Sequence, residues 1–438
     1  MGTKNRWKNG FWPMIFMSFS TGMVYCWTLF REDIEEWGTV RRYLADGSYY
    51  THSYFTPFIL TLCFMLALFC LGMTAAFGGK IVERSVKRAA LYTFIFFTLG
   101  WLITGIGVYI RSPILTVIGF GPVQGIGLGL GYLTPIKTLM MWFEDRKGFA
   151  AGVAIAAFGL AGLIGNPLLG LLLSIDGISV YQAFYILTGL FGILCFVAYI
   201  IIDRPPLKAA DAAAKTFTAV EVIFSKKFVF LWVVLFLNIA AGLALMSHEQ
   251  QIYLMTGLDI NYHRGLIVLL CTLTAGGGNL IGRLIMASSQ DRTDTKHLPY
   301  YVMAFASIAM CVIAFAGFTM LFDPHFIPMF IAIFVIQFFF GCGFACLPGI
   351  LDQQYGMKQL ATIQGYMLTA WAIAALVGPQ IATSILTLAD PVTGAPADVS
   401  TLTTLYIVLA GMFVIQLIAL LLFARTCKKE KNNAQAAA

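Results

Sequence analysis

Charged residues are scarce in this sequence: Asp, Glu, Lys and Arg make up 11% of its 438 residues. A soluble domain carries about 25% charged residues, so this chain lacks the polar surface that a water-soluble fold requires. Hydrophobic residues account for 59% of the chain, and its mean hydropathy is +0.82. The composition therefore predicts a multi-pass membrane protein whose main surroundings are the lipid bilayer.

Motifs of enzymes and metal sites are also missing. The five histidines are scattered, and there is no HExxH zinc motif and no nucleophile elbow, so the sequence predicts no enzyme, no metal site and no cofactor. The nine cysteines are odd in number, which argues against a disulfide framework. No ring of like residues or selectivity loop indicates a channel.

Apolar runs of about 20 residues, the length that crosses the hydrocarbon core, recur along the whole chain. We predict twelve spans, near residues 11–30, 55–77, 90–110, 113–142, 149–173, 181–202, 228–254, 263–288, 298–321, 327–350, 362–388 and 401–424. The loops on the side of both termini hold 21 Lys and Arg, and the opposite loops hold five. The positive-inside rule then predicts cytoplasmic termini and a place in the cell (inner) membrane. This topology accounts for the net charge of +7 without a nucleic-acid partner.

The longest polar stretch divides the spans into two groups of six. The predicted parts are an N-terminal six-helix bundle at 1–202, a cytoplasmic linker at 203–227, a C-terminal six-helix bundle at 228–424 and a cytoplasmic tail at 425–438. The halves resemble each other, since Pro135 and Pro348 lie in the fourth and tenth spans. Repeated halves are typical of secondary transporters, whose substrate sites lie near the bilayer midplane. We expect a monomer.

A stripe of glycines marks the fourth predicted span. Gly121, Gly125 and Gly129 are spaced four residues apart, and Gly127 and Gly131 form a second such pair. A phosphate-binding loop would need a preceding strand and a following GK[ST], and neither is present. The spacing instead predicts close packing of membrane helices.

Only a few ionisable residues lie inside the predicted spans. An ionisable residue in a span is a functional hypothesis by default, and Arg283 lies about 12 Å along its helix from the polar loop at Asp291. The simplest partner for Arg283 is a substrate carboxylate, which guanidinium binds with two hydrogen bonds; the alternative is a structural Arg283 paired with helix carbonyls or with Asp352. Lys137 either extends to the cytoplasmic surface or has a role in substrate binding or coupling.

Polar and aromatic residues complete the predicted pocket. His248 and Glu249 are adjacent near an outer helix end and are candidates for proton coupling, or they are an interfacial pair whose polar groups are satisfied. The predicted substrate contacts beside Arg283 are Asn279 one turn before it, and Tyr25, Trp27, Tyr132 and Trp371.

Several motifs at this point resemble a known family. The pattern formed by Gly79, Glu83, Arg84 and Arg88, with Asp291 and Arg292 in the second half, resembles the loop signature of the major facilitator superfamily. GMVYCWTLF at 22–30, GYLTPIKTLMMWFEDRKGFAAGVAIAAFGLAG at 131–162 and GGGNLIGRLIMASSQDR at 276–292 resemble the first, fourth to fifth, and eighth helices of the bacterial oxalate:formate antiporter family. Monocarboxylate transporters are more distant relatives.

The resemblance implies an all-α membrane protein of twelve transmembrane helices in two six-helix halves, working by alternating access. It implies that Arg283 binds substrate, that Tyr25 and Tyr132 line the cavity, and that the motif residues stabilise one conformation. The oxalate antiporter has a second cation, a lysine, where this chain has Trp371, which favours a monocarboxylate. Proton-coupled relatives have an Asp where this chain has Asn279, so proton symport and exchange against a counter-anion both stay open.

Overall fold

Helices make up nearly all of the structure, a computed structural model that describes residues 5–43, 49–206, 208–256, 258, 260–316, 326–386 and 399–436. The α-helices are α1 Trp12–Gly22, α2 Trp27–Gly38, α3 Pro57–Arg84, α4 Val86–Tyr109, α5 Pro113–Ile118, α6 Gln124–Trp142, α7 Lys147–Leu173, α8 Val180–Ile201, α9 Ala209–Ala213, α10 Ala219–Ile223, α11 Lys226–Met255, α12 Ile260–Cys271, α13 Asn279–Ser289, α14 Leu298–Ala316, α15 Phe326–Tyr355, α16 Leu360–Met367, α17 Thr369–Leu386 and α18 Val399–Ala436.

The number of membrane spans agrees with the prediction from the sequence. Eleven helical stretches of the described residues are long and apolar enough to cross a membrane. The segments Arg6–Cys26 and Leu29–Gly38, bent by 53°, make a twelfth when they count as one span. The predicted ends of the ninth and eleventh spans, at 317–321 and 387–388, lie outside the described residues.

One element departs from the all-helical prediction. Strands β1 (Thr39–Tyr43) and β2 (Tyr49–Ser53) form an antiparallel pair in which Thr39 faces Ser53 and Tyr43 faces Tyr49. The sequences TVRRY and YYTHS are rich in β-branched and aromatic residues, which pack well on a pleated surface. Hydropathy alone assigns this stretch to a polar loop and misses the pairing.

Irregular turns interrupt several of the spans. A 3₁₀ turn at Met23–Cys26 joins α1 to α2, a π-helix at Gly119–Val123 contains Pro122, and a π-helix at Thr272–Gly278 leads into α13. A proline has no N–H and breaks the regular ladder, which accounts for the second interruption. Side chains cap other helix starts: Thr56 accepts from Ile59 N at α3, and Ser225 accepts from Phe228 N at α11.

The chain forms two compact units. The first unit contains Met1–Ala212 together with Gln359–Leu368, and the second contains Ala213–Lys358 and Thr369–Ala438. The start of the eleventh predicted span, helix α16, therefore belongs to the first unit. Helices α9 and α10 lie within the stretch that the sequence predicts as a linker; the predicted domain boundaries stay a prediction.

The glycine stripe packs against neighbouring helices of the first unit, as its spacing predicts. A Cβ atom built on Gly129 would lie 2.5 Å from the carbonyl oxygen of Leu71 in α3, and one built on Gly127 would lie 2.5 Å from the backbone nitrogen of Phe97 in α4. A Cβ on Gly131 would lie 2.6 Å from the Cγ2 methyl of Thr21 in α1. The prediction of close helix packing is confirmed, because three helices approach α6 where it lacks side chains.

We expect Gly129→Ala to destabilise the protein. The added methyl collides with backbone, and overpacking of this kind costs about 1–3 kcal/mol. Thermal unfolding of the detergent-solubilised variant measures the loss. The matched control is Gly170→Ala in α7, where no described atom lies within 4 Å of the added carbon; equal unfolding temperatures for the two variants would contradict the packing role.

Candidate substrate-binding site

The second unit contains a buried arginine on a membrane-spanning helix. Asn279 begins α13 and Arg283 lies one turn later, and the two side chains are only 5% and 3% exposed. Gly282 of α13 and Gly341 of α15 allow these helices to approach closely, because a Cβ on either glycine would overlap a backbone carbonyl oxygen of the other helix. The helix therefore holds Asn279 and Arg283 against α15, within the protein interior.

Two aromatic rings lie beside this arginine. The guanidinium carbon of Arg283 is 5.8 Å from the ring centre of Phe344 in α15. Phe344 packs edge-to-face against Trp371 of α17, with ring centres 4.7 Å apart. Both rings are 1% exposed, and a cation over an aromatic face gains about 2 kcal/mol or more when it is desolvated. The structure thus brings together Arg283, Asn279 and Trp371, and adds Phe344 to them.

The first unit contains a second aromatic cluster around Phe158 of α7. The ring of Phe158 lies 5.5 Å from that of Tyr25 and 5.5 Å from that of Tyr132, both in edge-to-face geometry. Tyr132 is 3% exposed and Tyr25 is half-buried, within the 3₁₀ turn that follows α1. The structure thus brings these two tyrosines together, and their role as substrate contacts stays a prediction.

Trp27, the remaining predicted aromatic contact, packs between helices. Its indole nitrogen donates to the carbonyl oxygen of Leu60 at 2.7 Å, and its ring lies 3.9 Å from that of Phe120. The side chain is 1% exposed. These contacts join α2 to α3 and to the π-helix that precedes α6, and they differ from those of the Tyr25–Phe158–Tyr132 cluster.

His248 and Glu249 each have partners, and these partners are different. The His248 ring lies 2.8 Å from the Ser247 hydroxyl through Nδ1 and 3.1 Å from the Thr383 hydroxyl through Nε2. Glu249 is 3% exposed and hydrogen-bonds the hydroxyl of Thr274 in the π-helix before α13. Adjacent residues of a helix point about 100° apart, which sends the two side chains to different helices.

Lys137 forms an ion pair with Glu83 inside the first unit. Its side chain is 1% exposed, so the alternative in which Lys137 extends to the surface is wrong. Glu83 lies at the end of α3 and is 15% exposed. A lysine charge that cannot reach water needs an anion within contact distance, and Glu83 supplies it.

Glu83 also holds the start of α16. One carboxylate oxygen accepts from the backbone nitrogen of Ala361 at 2.8 Å and from that of Thr362 at 3.3 Å. A negative charge at a helix N-terminus satisfies unpaired N–H groups and the helix dipole. Gly79 allows this approach, since a Cβ there would lie 2.5 Å from the Cα of Thr362.

The surroundings of this motif differ in part from the prediction. The sequence predicts a loop at 78–89, whereas α3 continues to Arg84. Arg204, from the predicted linker, donates to the carbonyl oxygens of Val82 at 2.7 Å and Glu83 at 2.8 Å. Burial lowers the pKa of the Arg204 guanidinium from its ordinary value. The other motif residues, Arg84, Arg88, Asp291 and Arg292, are exposed, and their conformational role stays a prediction.

Sequence reasoning missed Phe158, Phe344 and Thr274. Phe344 lies in a span with many phenylalanines, and Phe158 and Thr274 lie in apolar spans without a distinguishing pattern. No spacing rule separates these residues from lipid-facing ones. Their positions became visible only through contacts with residues that the charge and aromatic patterns had already identified.

Residues 9–379 match the sequence profile of the Major Facilitator Superfamily. The chain belongs to this superfamily. The resemblance drawn from the motifs is therefore confirmed, and the protein is a transporter rather than an enzyme.

Curated relatives cover most of the chain at low identity. The chain is 23% identical over 356 residues to the uncharacterized MFS-type transporter YhjX of Escherichia coli K12, covering 77% of this chain and 84% of the relative. It is 24% identical over 398 residues to the oxalate:formate antiporter of Oxalobacter formigenes, covering 87% and 85%. A shorter match of 78 residues is 38% identical to apicoplast pyruvate carrier 1 of Toxoplasma gondii, covering 18% and 14%.

Solved structures support the fold. A variant of the fucose:proton symporter FucP of E. coli has a TM-score of 0.64 at 14% identity, with 94% of this chain and 97% of that chain covered. An outward-facing bacterial homologue of the iron transporter ferroportin has a TM-score of 0.69 at 10% identity, with 94% and 98% covered. At such identities the likeness is one of architecture.

We expect removal of either charge from the Lys137–Glu83 pair to destabilise the protein by about 3–5 kcal/mol, because it leaves the other charge without its counter-charge. Glu83→Gln and Lys137→Met should each lower stability in a denaturation titration with SDS. The double variant should recover part of the loss, since no lone charge remains.

The matched control is the exposed pair formed by Lys208 and Glu144, whose Nζ–Oε2 distance is 2.7 Å. Glu144→Gln should change stability by about 0–1 kcal/mol, as is usual for surface pairs. Strictly additive effects of Glu83→Gln and Lys137→Met would show that the two charges are energetically independent.

Proposed function

We propose that this protein is a secondary active transporter of small organic carboxylate anions, with a preference for monocarboxylates, and that Arg283 binds the substrate carboxylate. It works by alternating access in the cell (inner) membrane. The observation that carries the proposal is the nearly complete burial of Arg283 on a membrane-spanning helix, at 3% exposure. A charge in a membrane span is costly and is retained where it serves transport.

The chemistry beside Arg283 suits a carboxylate. Phe344 stabilises the guanidinium charge through its ring. A guanidinium presents its N–H groups in a planar fork that matches a carboxylate. Asn279, one turn before Arg283, supplies an amide that both donates and accepts hydrogen bonds. We infer that the substrate carboxylate binds this fork and that its remaining atoms lie near Phe344 and Trp371.

The balance of buried charges favours a monocarboxylate. Among the described residues, the buried cations of the membrane spans are Lys137 and Arg283. Lys137 is engaged by Glu83, so we infer that Arg283 is the cation that meets the substrate. A dianion would need a second cation, and the position that carries lysine in the resembling family carries Trp371 here. Pyruvate or lactate fits this charge count.

The relatives support carboxylate transport as a class. One is named as an oxalate:formate antiporter and matches 87% of the chain, and another is named as a pyruvate carrier. The longer match favours, as the second candidate, an oxalate/formate-type anion exchanger. A larger organic acid is a further candidate substrate for the same site, since Phe344 and Trp371 offer an apolar surface.

We expect Arg283→Lys to abolish ligand stabilisation by monocarboxylates. A ligand that binds the folded state raises apparent stability by mass action, so pyruvate and lactate should raise the unfolding temperature of the native protein. Lysine keeps the charge and loses the fork, so the response should disappear in the variant. Thermal unfolding with and without each anion measures the effect.

The matched control is Arg425→Lys, an exposed arginine in α18, which should keep the native response. If none of the carboxylates raised the unfolding temperature of the native protein, the result would contradict the proposal and support a structural Arg283. A response to oxalate alone would support the exchanger.

We expect Trp371→Lys to shift preference from monoanions to dianions. A second cation beside the Phe344 ring would add an ion pair to a dianion, and a gain of about 1.4 kcal/mol corresponds to tenfold tighter binding. Titrations of oxalate and pyruvate against the purified variant measure the ratio of affinities. Trp371→Phe, which changes the ring without adding charge, is the control; an equal shift in both variants would assign the effect to lost packing.

A further inference from the structure

Glu249 is a buried carboxyl group without a cationic partner in the described residues. It lies in α11 and is 3% exposed. In the second unit, Lys215 pairs with Glu221 and Lys227 pairs with Glu430. An ionised carboxylate buried without a counter-charge costs several kcal/mol. The burial therefore favours the protonated, neutral acid.

The hydrogen bonds around Glu249 also favour a protonated carboxyl group. The Thr274 hydroxyl contacts a carboxyl oxygen of Glu249 and lies 2.7 Å from the carbonyl oxygen of Leu270. A hydroxyl has one proton to donate, and a carbonyl oxygen can only accept. With an ionised Glu249 the Thr274 hydroxyl donates either to the carboxylate or to Leu270. With a protonated Glu249 the carboxyl donates to Thr274, and the Thr274 hydroxyl donates to Leu270, so both hydrogen bonds form.

The other groups around Glu249 do not supply a fixed charge. Its ionisable neighbours are Tyr253 on the same helix, Cys271 at the end of α12, and Tyr406 on α18 with Cys311 of α14 beside it. Phenols and thiols are neutral near pH 7.

Helices α17 and α15, which also pack on α11, present a hydroxyl and an amide near this region. His248 faces α17, where it contacts the Thr383 hydroxyl. From α15, the Gln337 amide donates to the carbonyl oxygen of Gly242 at 3.0 Å. Neither the hydroxyl nor the amide carries a charge that could balance an ionised Glu249.

The hydrogen-bond partner of Glu249 lies in the same membrane span as Arg283. Thr274 lies in the π-helix Thr272–Gly278, and α13 follows without a break. Single π turns are frequent at functional sites. Loss of the proton would turn Glu249 into an acceptor and draw the Thr274 hydroxyl away from Leu270. The change in hydrogen bonding would thus occur in the turns that precede Asn279 and Arg283.

We propose that Glu249 is the proton-carrying residue of this transporter: it is protonated in this structure and takes up and releases a proton in the same cycle that binds a carboxylate at Arg283. A monocarboxylate at Arg283 removes one positive charge from the protein interior, and a proton on Glu249 removes one negative charge. Loaded together, they carry no net charge across the membrane. This inference rests on the proposed carboxylate transport and adds proton symport to it.

The first experiment follows pyruvate and protons in proteoliposomes that contain a pH-sensitive dye. With native protein, external pyruvate should acidify the interior beyond the signal of protein-free vesicles, which corrects for undissociated acid crossing the lipid. Glu249→Gln keeps the shape and a donor toward Thr274, so it should retain exchange of labelled for unlabelled pyruvate and lose the protein-dependent acidification. The matched control, Glu221→Gln in the exposed helix α10, should behave like native protein.

The second experiment measures the proton without substrate. The infrared spectrum of native protein at neutral pH should contain the carbonyl stretch of a protonated carboxyl group, shifted in D₂O. This band should be absent in Glu249→Gln, displaced in Thr274→Val and unchanged in Glu221→Gln. A native spectrum identical to that of Glu249→Gln in this region would show an ionised carboxylate and overturn the inference.

The two experiments separate failure of the inference from failure of the proposed function. Native protein that exchanges pyruvate without acidification would leave carboxylate transport intact and overturn the role of Glu249. Acidification that persists in Glu249→Gln would do the same. Native protein that exchanges neither pyruvate nor oxalate would remove the proposed function and the coupling role with it, while the infrared band would still decide whether Glu249 carries a proton.

Discussion

The cost of placing a charge in an apolar interior shapes each functional region of this transporter. Three charged side chains of the described residues are buried: Lys137, Glu249 and Arg283. Lys137 is balanced by Glu83, Arg283 lies over an aromatic ring, and Glu249 has a hydroxyl partner. Because an isolated buried charge costs several kcal/mol, these environments suggest three uses of a charge: a structural contact, anion binding and proton binding.

Regular helices satisfy every backbone group in a membrane, so departures from them are restricted to places where the protein supplies other partners. Here the departures coincide with the candidate functional residues. Tyr25 lies in the 3₁₀ turn Met23–Cys26, and Thr274 lies in the π-helix just before α13. The π-helix Gly119–Val123 precedes the glycine-rich helix that bears Tyr132 and Lys137. Irregular turns therefore lie at or next to the helices that position these side chains.

Glycine has a related role in each unit. Gly79 brings α3 close enough to α16 for Glu83 to reach the amides of Ala361 and Thr362. Gly282 and Gly341 bring α13 and α15 together, so that Phe344 can lie beside Arg283. In a bilayer, where burial of apolar surface drives helix association little, close backbone approach supplies the packing energy. The same close packing fixes the positions of the polar groups.

The sequence by itself determined the fold class, the number of spans and the residues whose chemistry is out of place in a membrane. Composition and apolar run length suffice for the spans because the bilayer imposes a fixed length, and charge within a span identifies Arg283, Lys137 and Glu249. Only the tertiary structure decided the partners: Glu83 for Lys137, Phe344 for Arg283, Thr274 for Glu249, and α17 rather than Glu249 for His248. These partners lie 25 to 135 positions apart in the sequence, so their contacts depend on which helix faces pack together. Helix packing depends on small differences in shape at glycines and rings, which hydropathy and spacing do not encode.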